Sequence, residues 1–366
     1  MLLSTNHRTI STLNKRIKPQ LNKVKTNEFN NHIITWMAAF TMLPRHLISC
    51  ALALLRNGIS MSITPDALAK NHQEEIDKGE RFSFGDNWMN FLQSLDDEKI
   101  QVAVQSLKAM LKVDNLNGKS FLDIGSGSGL FSLSARKLGA SVVSFDYDAK
   151  SVACTNELKA RYDKNSSDWE VQAGSVLDAA YMETLGKFDI VYSWGVLHHT
   201  GDLWSALENA GKKVADNGQL FIALYNDQGG ASRRWHTIKK IYNSLPRYIK
   251  PCFVFLVYLP LEARYFLIHL IRRKPREYVL GILHYGKNRG MSWWHDKIDW
   301  IGGYPFEVSK PEQIFDFYKE RGYSLEVLKT SGGGLACNEF VFRRGPMPST
   351  NDLTCSASSL TSGKME

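Results

Sequence analysis

Cysteine is scarce in this 366-residue chain: Cys50, Cys154, Cys252, Cys337 and Cys355, with no two at zinc-ligand spacing. An odd, scattered set excludes a disulfide framework and a zinc module, and it points to a reducing compartment. No lysine follows a glycine-rich turn in the order that a P-loop requires, which excludes that phosphate cradle. No carboxylate triad stands out, so no metal is expected. Acidic residues are nearly missing from one end: residues 1–65 carry eight Lys or Arg against the single acid Glu28. A second basic excess lies at residues 229–300, with fourteen Lys or Arg against four acids, while residues 117–228 carry ten against fourteen. The net charge of +8 therefore resides in two appendages, as expected for interaction surfaces rather than generic solubility.

The central stretch Phe121-Leu-Asp-Ile-Gly-Ser-Gly-Ser-Gly129 reads as a strand, a tight turn and the start of a helix over Leu130 to Leu138. Glycine accepts φ > 0 and has no Cβ, so such a turn lets a ligand lie against bare backbone. A dinucleotide turn, G-x-G-x-x-G, needs a third small residue for close packing behind the pyrophosphate. That place falls on Leu130 or Ser132 here.

Further strand–loop units follow. Ser141 to Asp146 is an apolar, β-branched strand that ends in an acid seventeen residues after Gly129. An acid there can accept from both hydroxyls of a ribose; the competing reading is a helix N-cap, for which Asp148 is better placed. Trp169 to Gln172 is a third strand, followed by Gly174-Ser-Val-Leu-Asp178. Phe188 to Ser193 is a fourth, followed by Trp194-Gly-Val-Leu-His-His199. An amphipathic helix over Asp202 to Ala215 and a fifth strand over Gly218 to Leu224 complete the run. Strands alternating with helices imply a parallel sheet with right-handed crossovers, and a ligand site beyond the carboxyl ends of the strands.

Asp-x-Gly-x-Gly-x-Gly resembles the first motif of the class I S-adenosylmethionine-dependent methyltransferases. Phe-Asp-Ile-Val-x-Ser-x-Gly-Val-Leu-His-His resembles the fourth motif of their ubiquinone-biosynthesis-like O-methyltransferase group. The resemblance covers residues 117–228 well and 305–343 loosely. It implies a Rossmann-like, doubly wound, mostly parallel seven-stranded α/β sheet with an antiparallel edge strand. It also implies S-adenosyl-L-methionine as cofactor, held by Asp123, Gly125, Ser126, Gly127 and Gly129, with Asp146 on the ribose and Tyr147 against the adenine. Relatives usually have an acid directly after the glycine of the third loop. Ser175 stands there instead, beside Val176, and Asp178 is the alternative acceptor. The backbone after the fourth strand, from Trp194, would face the methionine end.

The flanks divide into a basic and apolar extension (1–65), a helical cap (66–116), the methyltransferase domain (117–344) with a basic helical insertion (229–300), and a disordered Ser/Thr-rich tail (345–366). The cap contains Arg81-Phe-Ser-Phe-Gly-Asp-Asn-Trp88, whose Phe82, Phe84 and Trp88 suit a lid or the lid's own core. Residues 33–55 are apolar but broken by Pro44, Arg45 and His46, which favours an interfacial or protein-packed helix over a span. In the insertion, Arg233, Arg234, Lys239 and Lys240 alternate with Trp235, Ile238, Ile241 and Tyr242, a basic amphipathic pattern. The apolar run Cys252 to Ile271 follows, interrupted by Pro260, Glu262 and Arg264. Such a segment fits docking on an anionic membrane or a helical lid. Trp293, Trp294, Trp300 and Tyr304, near His295, Asp296 and Asp299, suit the pocket of a ring or isoprenoid.

Methyl transfer to a phenol needs a base to take the hydroxyl proton. His198 and His199 are the first candidates and His295 the next. The expected function is O-methylation of a small lipophilic aromatic acceptor, polyprenyl-phenol-like, in the cytoplasm or mitochondrial matrix and peripheral to a membrane met through 33–55 and 231–276. The alternatives are an RNA methyltransferase, disfavoured because no RNA-binding module is present, and a non-catalytic cofactor-binding protein of the same fold.

Overall fold

The computed structural model describes residues 63–164, 166–283, 293–332 and 334–346. The leader, the apolar stretch 33–55 and the tail beyond 346 lie outside them, as do Cys50 and Cys355.

Seven strands form one sheet in the order β3-β2-β1-β4-β5-β7-β6. They are β1 (Ser120–Ile124), β2 (Ser141–Asp146), β3 (Trp169–Ala173), β4 (Phe188–Trp194), β5 (Val214–Tyr225), β6 (Tyr323–Lys329) and β7 (Cys337–Arg344). Strands β1 to β5 pair in parallel; β7 runs antiparallel between β5 and β6. The order reverses at β1, which lies between β2 and β4, so the loops after β1, β2 and β4 open on one crevice. Strand alternation sends Leu122, Ile124, Val191 and Ile222 into one core layer, and Phe121, Ile190, Tyr192 and Phe221 into the other.

The helices before the sheet are α1 (Pro65–Asp77), α2 (Gly85–Gln93) and α3 (Asp97–Leu111); α4 (Leu130–Lys137), α5 (Ala149–Tyr162), α6 (Ala179–Thr184) and α7 (Leu203–Lys212) connect the parallel strands. Their starts follow capping chemistry: Asp96, Asp148, Asp178 and Asp202 each accept a backbone N–H from the first turn of the helix that follows. Helix α7 stops at Lys212 rather than Ala215 because Val214 is buried and pairs with Phe188, which starts β5 early.

The cap seats α2 on the turn after β2. The amide of Gly85 donates to Asp148 Oδ2 at 2.8 Å, and a Cβ on Gly85 would lie 2.5 Å from that same oxygen.

The insertion folds as α8 (Gly230–Ser244), α9 (Lys250–Ile271), α10 (Pro275–Leu283) and α11 (Trp293–Gly302), and α12 (Pro311–Lys319) precedes β6. Helix α9 runs unbroken through Pro260. Proline removes one helical hydrogen bond, and Glu262 is not a free charge: it pairs with Lys297 at 2.5 Å and accepts from Tyr278 Oη at 2.6 Å. Among the described residues α9 is the one helix long and apolar enough to cross a membrane, by length and composition only. Val254 packs with Tyr242 and Ile301, but Phe255, Leu256, Leu259, Tyr265, Leu267 and Ile271 are exposed.

Candidate active site

A cavity of about 1100 Å³ opens along the carboxyl ends of β1, β2 and β4 and is roofed by α1 and α2. One end is the glycine turn. Gly125, Gly127 and Gly129 have φ of 76°, 56° and 79°, a region open to glycine at no steric cost. Their bareness also serves packing: a Cβ on Gly125 would sit 2.3 Å from Val196, and one on Gly127 would sit 2.9 Å from the Trp88 indole. Gly125 and Ser126 donate their amides to the Phe145 carbonyl at 2.8 and 3.1 Å, tying the turn to β2.

Asp123 is buried, and Ser132 Oγ donates to its Oδ2 at 2.5 Å. Burial pushes its carboxyl up to about 7, with the Asp146 charge adding to the shift. Its carboxylate is thus taken up in fixing the start of α4. Asp146 accepts from the Gly127 amide through Oδ2 and from the Asp148 amide through Oδ1, both at 2.9 Å. Burial pushes it up to about 6 against those bonds. Each oxygen keeps a second lone pair, which suits ribose hydroxyls. The N-cap role belongs to its neighbour Asp148, which accepts from Lys150 N at 2.9 Å.

Tyr147 is pinned on several sides. Its hydroxyl donates to Glu75 Oε1 at 3.1 Å, the Arg81 guanidinium lies 4.8 Å over the ring, and His72 meets it edge-on at 5.1 Å. Ser175 lines the cavity, but its Oγ accepts from Leu177 N at 3.2 Å. Asp178 caps α6 and accepts from Ile63 N at 3.2 Å. Val176 is a core residue facing the same space, and Trp194 is exposed at its rim.

The two adjacent histidines, on a short 3₁₀ turn (Leu197–His199), separate. His198 is fully buried, its Nδ1 accepts from Tyr225 N at 3.3 Å, and its Nε2 has no partner. His199 lines the cavity, and its Nδ1 lies 2.5 Å from the Pro305 carbonyl oxygen. A carbonyl can only accept, so Nδ1 carries the proton and Nε2 the lone pair. Burial lowers the His199 pKa to about 3, so the ring is neutral. His199, not His198, is therefore the base candidate. His295 lies on α11, its side chain outside those described.

The rest of that end is aromatic: Phe82, Phe84, Trp88, Tyr225 and Trp300, with Asp296 among them. Asn87 Nδ2 donates to Asp299 Oδ1, and burial pushes the Asp299 carboxyl up to about 7. Lys239 departs from the expected basic face. It is fully buried, donates to the Trp300 carbonyl, and lies 4.5 Å over the Trp300 ring and 4.9 Å over Phe306; burial lowers its pKa to about 7. The repeat along α8 gave no sign of this, because α11 folds over it from sixty residues away. Arg81 and Glu75 likewise reach the site through contacts that no local pattern announces. Among the described residues no cluster of His, Cys, Asp and Glu is placed to hold a metal ion.

The cradle fits the cofactor that the sequence motifs imply: backbone of Gly125 and Gly127 lining the cavity, a carboxylate with free lone pairs and an aromatic wall at successive loops. Residues 96–253 match the family model described as a methyltransferase domain. The chain is similar to the ubiquinone biosynthesis O-methyltransferase of Pelagibacter ubique (strain HTCC1062), 31% identical over 111 residues, which cover 30% of this chain and 44% of that protein. It is also similar to the protein of the same name from Xanthomonas oryzae pv. oryzae (strain PXO99A), 29% identical over 169 residues, covering 45% of this chain and 66% of the relative. The chain thus spans less than two thirds of the length of these relatives. Among solved structures, magnesium protoporphyrin IX methyltransferase (ChlM) from Synechocystis PCC 6803 with bound SAH aligns with a TM-score of 0.41 at 14% identity, over 69% of this chain and 86% of that one.

Proposed function

We propose that the protein methylates a hydroxyl oxygen of a lipophilic aromatic acceptor at a membrane surface. The observation that carries this reading is His199: a neutral imidazole with a fixed tautomer, its proton donated to Pro305 and its own ring in an aromatic-lined cavity. The names of the curated relatives support oxygen as the methylated atom.

The cofactor supplies a methyl group already activated by a positive sulfur, so the protein mainly aligns and dehydrates the reactants. The glycine turn brings bare backbone to the cofactor, and Asp146 accepts hydrogen bonds from its ribose. The rings of Phe84, Tyr225 and Trp300 exclude water around the acceptor. His199 Nε2 accepts the hydrogen bond of the acceptor hydroxyl. A base with a pKa near 3 does not ionise a phenol of pKa ~10 beforehand. It would take a proton that becomes strongly acidic only as the new C–O bond forms and the sulfur–methyl bond breaks, leaving a neutral thioether.

The α9–α10 hairpin supports the membrane part. Its exposed apolar residues lie beside Arg264, Arg272, Arg273, Lys274 and Arg276. Arg272, Arg273 and Lys274 fall at the bend between the helices, where burial in hydrocarbon would cost about 2.5–3.5 kcal/mol per charge. The hairpin therefore suits an in-plane position, with apolar side chains below an anionic headgroup layer. The test is transfer of labelled methyl from S-adenosylmethionine to lipid extracts, with mass spectrometry of the product. A lipid-soluble product heavier by one methylene supports the reading. Label confined to RNA, or heat of cofactor binding with no labelled product over a broad acceptor panel, overturns it.

A further inference from the structure

Arg81 occupies a position that the fold alone does not demand. It lies between α1 and α2, yet its guanidinium reaches the loop after β2 and the loop after β4. Nη1 donates to the His199 carbonyl at 2.8 Å and Nη2 to the Thr200 carbonyl at 3.3 Å. Nε pairs with Glu75 Oε2 at 2.5 Å, and Cζ lies 4.8 Å from the centroid of the Tyr147 ring. Glu75 in turn accepts from the Tyr147 hydroxyl at 3.1 Å. One planar cation thus holds the aromatic wall of the nucleoside end and the backbone that carries the acceptor-side histidine.

We propose that Arg81 is a positioning residue that couples occupancy of the nucleoside end to the placement of His199. The inference rests on the reading of this cavity as a joint cofactor and acceptor site. A ligand that orders Tyr147 orders the guanidinium over its ring, because Glu75 bonds both groups and the guanidinium cannot shift without breaking its fork to the two carbonyls. The fork then sets the 3₁₀ turn on which His199 sits. Coupling of this kind is a free energy shared by two sites and is reciprocal. Lysine cannot replace it: an ammonium is a point charge that neither lies flat on the ring nor bonds two carbonyls in a fixed fork.

The test uses the full chain with ¹⁵N-labelled histidine, titrated with S-adenosylhomocysteine and followed by both calorimetry and imidazole nitrogen shifts, with His199 assigned from a His199→Gln variant. In the unaltered protein the His199 signal should move saturably, with the midpoint given by calorimetry. Arg81→Gln and Arg81→Lys should bind S-adenosylhomocysteine at least threefold more weakly, and at saturation their His199 signal should move by less than half as much. A full shift at saturation in either variant overturns the proposal, as does an unaltered protein that binds without moving the His199 signal. Should both variants unfold, Tyr147→Leu carries the test: it removes the ring and keeps the fork, and a full shift there overturns the coupling. Absence of any heat with S-adenosylhomocysteine in the unaltered, folded protein is a different result, which overturns the reading of the cavity itself.

Discussion

His199 Nδ1 lies 2.5 Å from the carbonyl oxygen of Pro305, while the neighbouring His198 takes an amide proton from Tyr225. The two adjacent imidazoles therefore hold opposite tautomers, and only His199 lines the cavity. Replacing His199 by Gln should lower kcat by about 10²–10⁴, the usual contribution of proton transfer, with little change in S-adenosylhomocysteine affinity. Steady-state rates with polyprenyl phenols and calorimetry on the same samples measure both. With a pKa near 3, His199 gives no ionisation limb between pH 5 and 8.

Asp146 predicts a pH dependence of cofactor binding. Its carboxylate must be ionised to accept from two hydroxyls, and its pKa is raised to about 6. Affinity should be full above pH 7 and fall as pH drops through 6, approaching tenfold per unit below that pKa. Asp146→Asn should weaken binding and remove the slope. Calorimetric titration with S-adenosylhomocysteine from pH 5 to 8 reads both effects, and a slope that survives in the variant would assign it to another group.

Lys239 predicts a stability effect of unusual sign. Its folded pKa is lowered to about 7 by burial, against ~10.4 when unfolded. Between those values the unfolded chain binds more protons, so stability should rise as pH climbs from 7 towards 10. Lys239→Met leaves the Trp300 carbonyl without its donor, at about 1–3 kcal/mol. It also removes a buried charge whose desolvation costs several kcal/mol. The second effect is the larger, so Tm at pH 7 should rise, by about 2–4 °C per kcal/mol, and its increase with pH should flatten. Thermal melts of both proteins across that range decide it.

The hairpin predicts membrane association separable from folding. Leu256 and Leu267 are 65% and 53% exposed, so changing both to Glu should leave Tm nearly unchanged while abolishing sedimentation with vesicles containing anionic phospholipid. Binding to such vesicles should weaken with salt. Retained sedimentation in the double variant would move the contact elsewhere.

Much of this architecture is legible in the sequence because its signals are local. The β-branched run at Ser141–Asp146 is a strand end to end, and Asp148 caps the next helix as its side chain demands. The glycines at 125, 127 and 129 mark positive φ. What local pattern misstates depends on distant partners. The helical repeat put Lys239 on a basic face, yet Trp300 and Phe306 enclose it. Pro260 and Glu262 lie within one continuous helix, where Lys297 pairs with the acid and Tyr278 donates to it. His198 and His199 are equivalent as letters and become distinct only where Tyr225 and Pro305 approach from other parts of the chain.

The seat of Gly85 on Asp148 constrains how this domain can diversify. With 2.5 Å from a would-be Cβ to Asp148 Oδ2 and to Lys150 Cβ, any larger residue at 85 must displace the start of α2 or the side chains on the turn after β2. Descendants of this chain that acquire a new acceptor therefore have freedom in the rings facing it, but the Gly85 end of the roof is heritable only together with the second strand's turn.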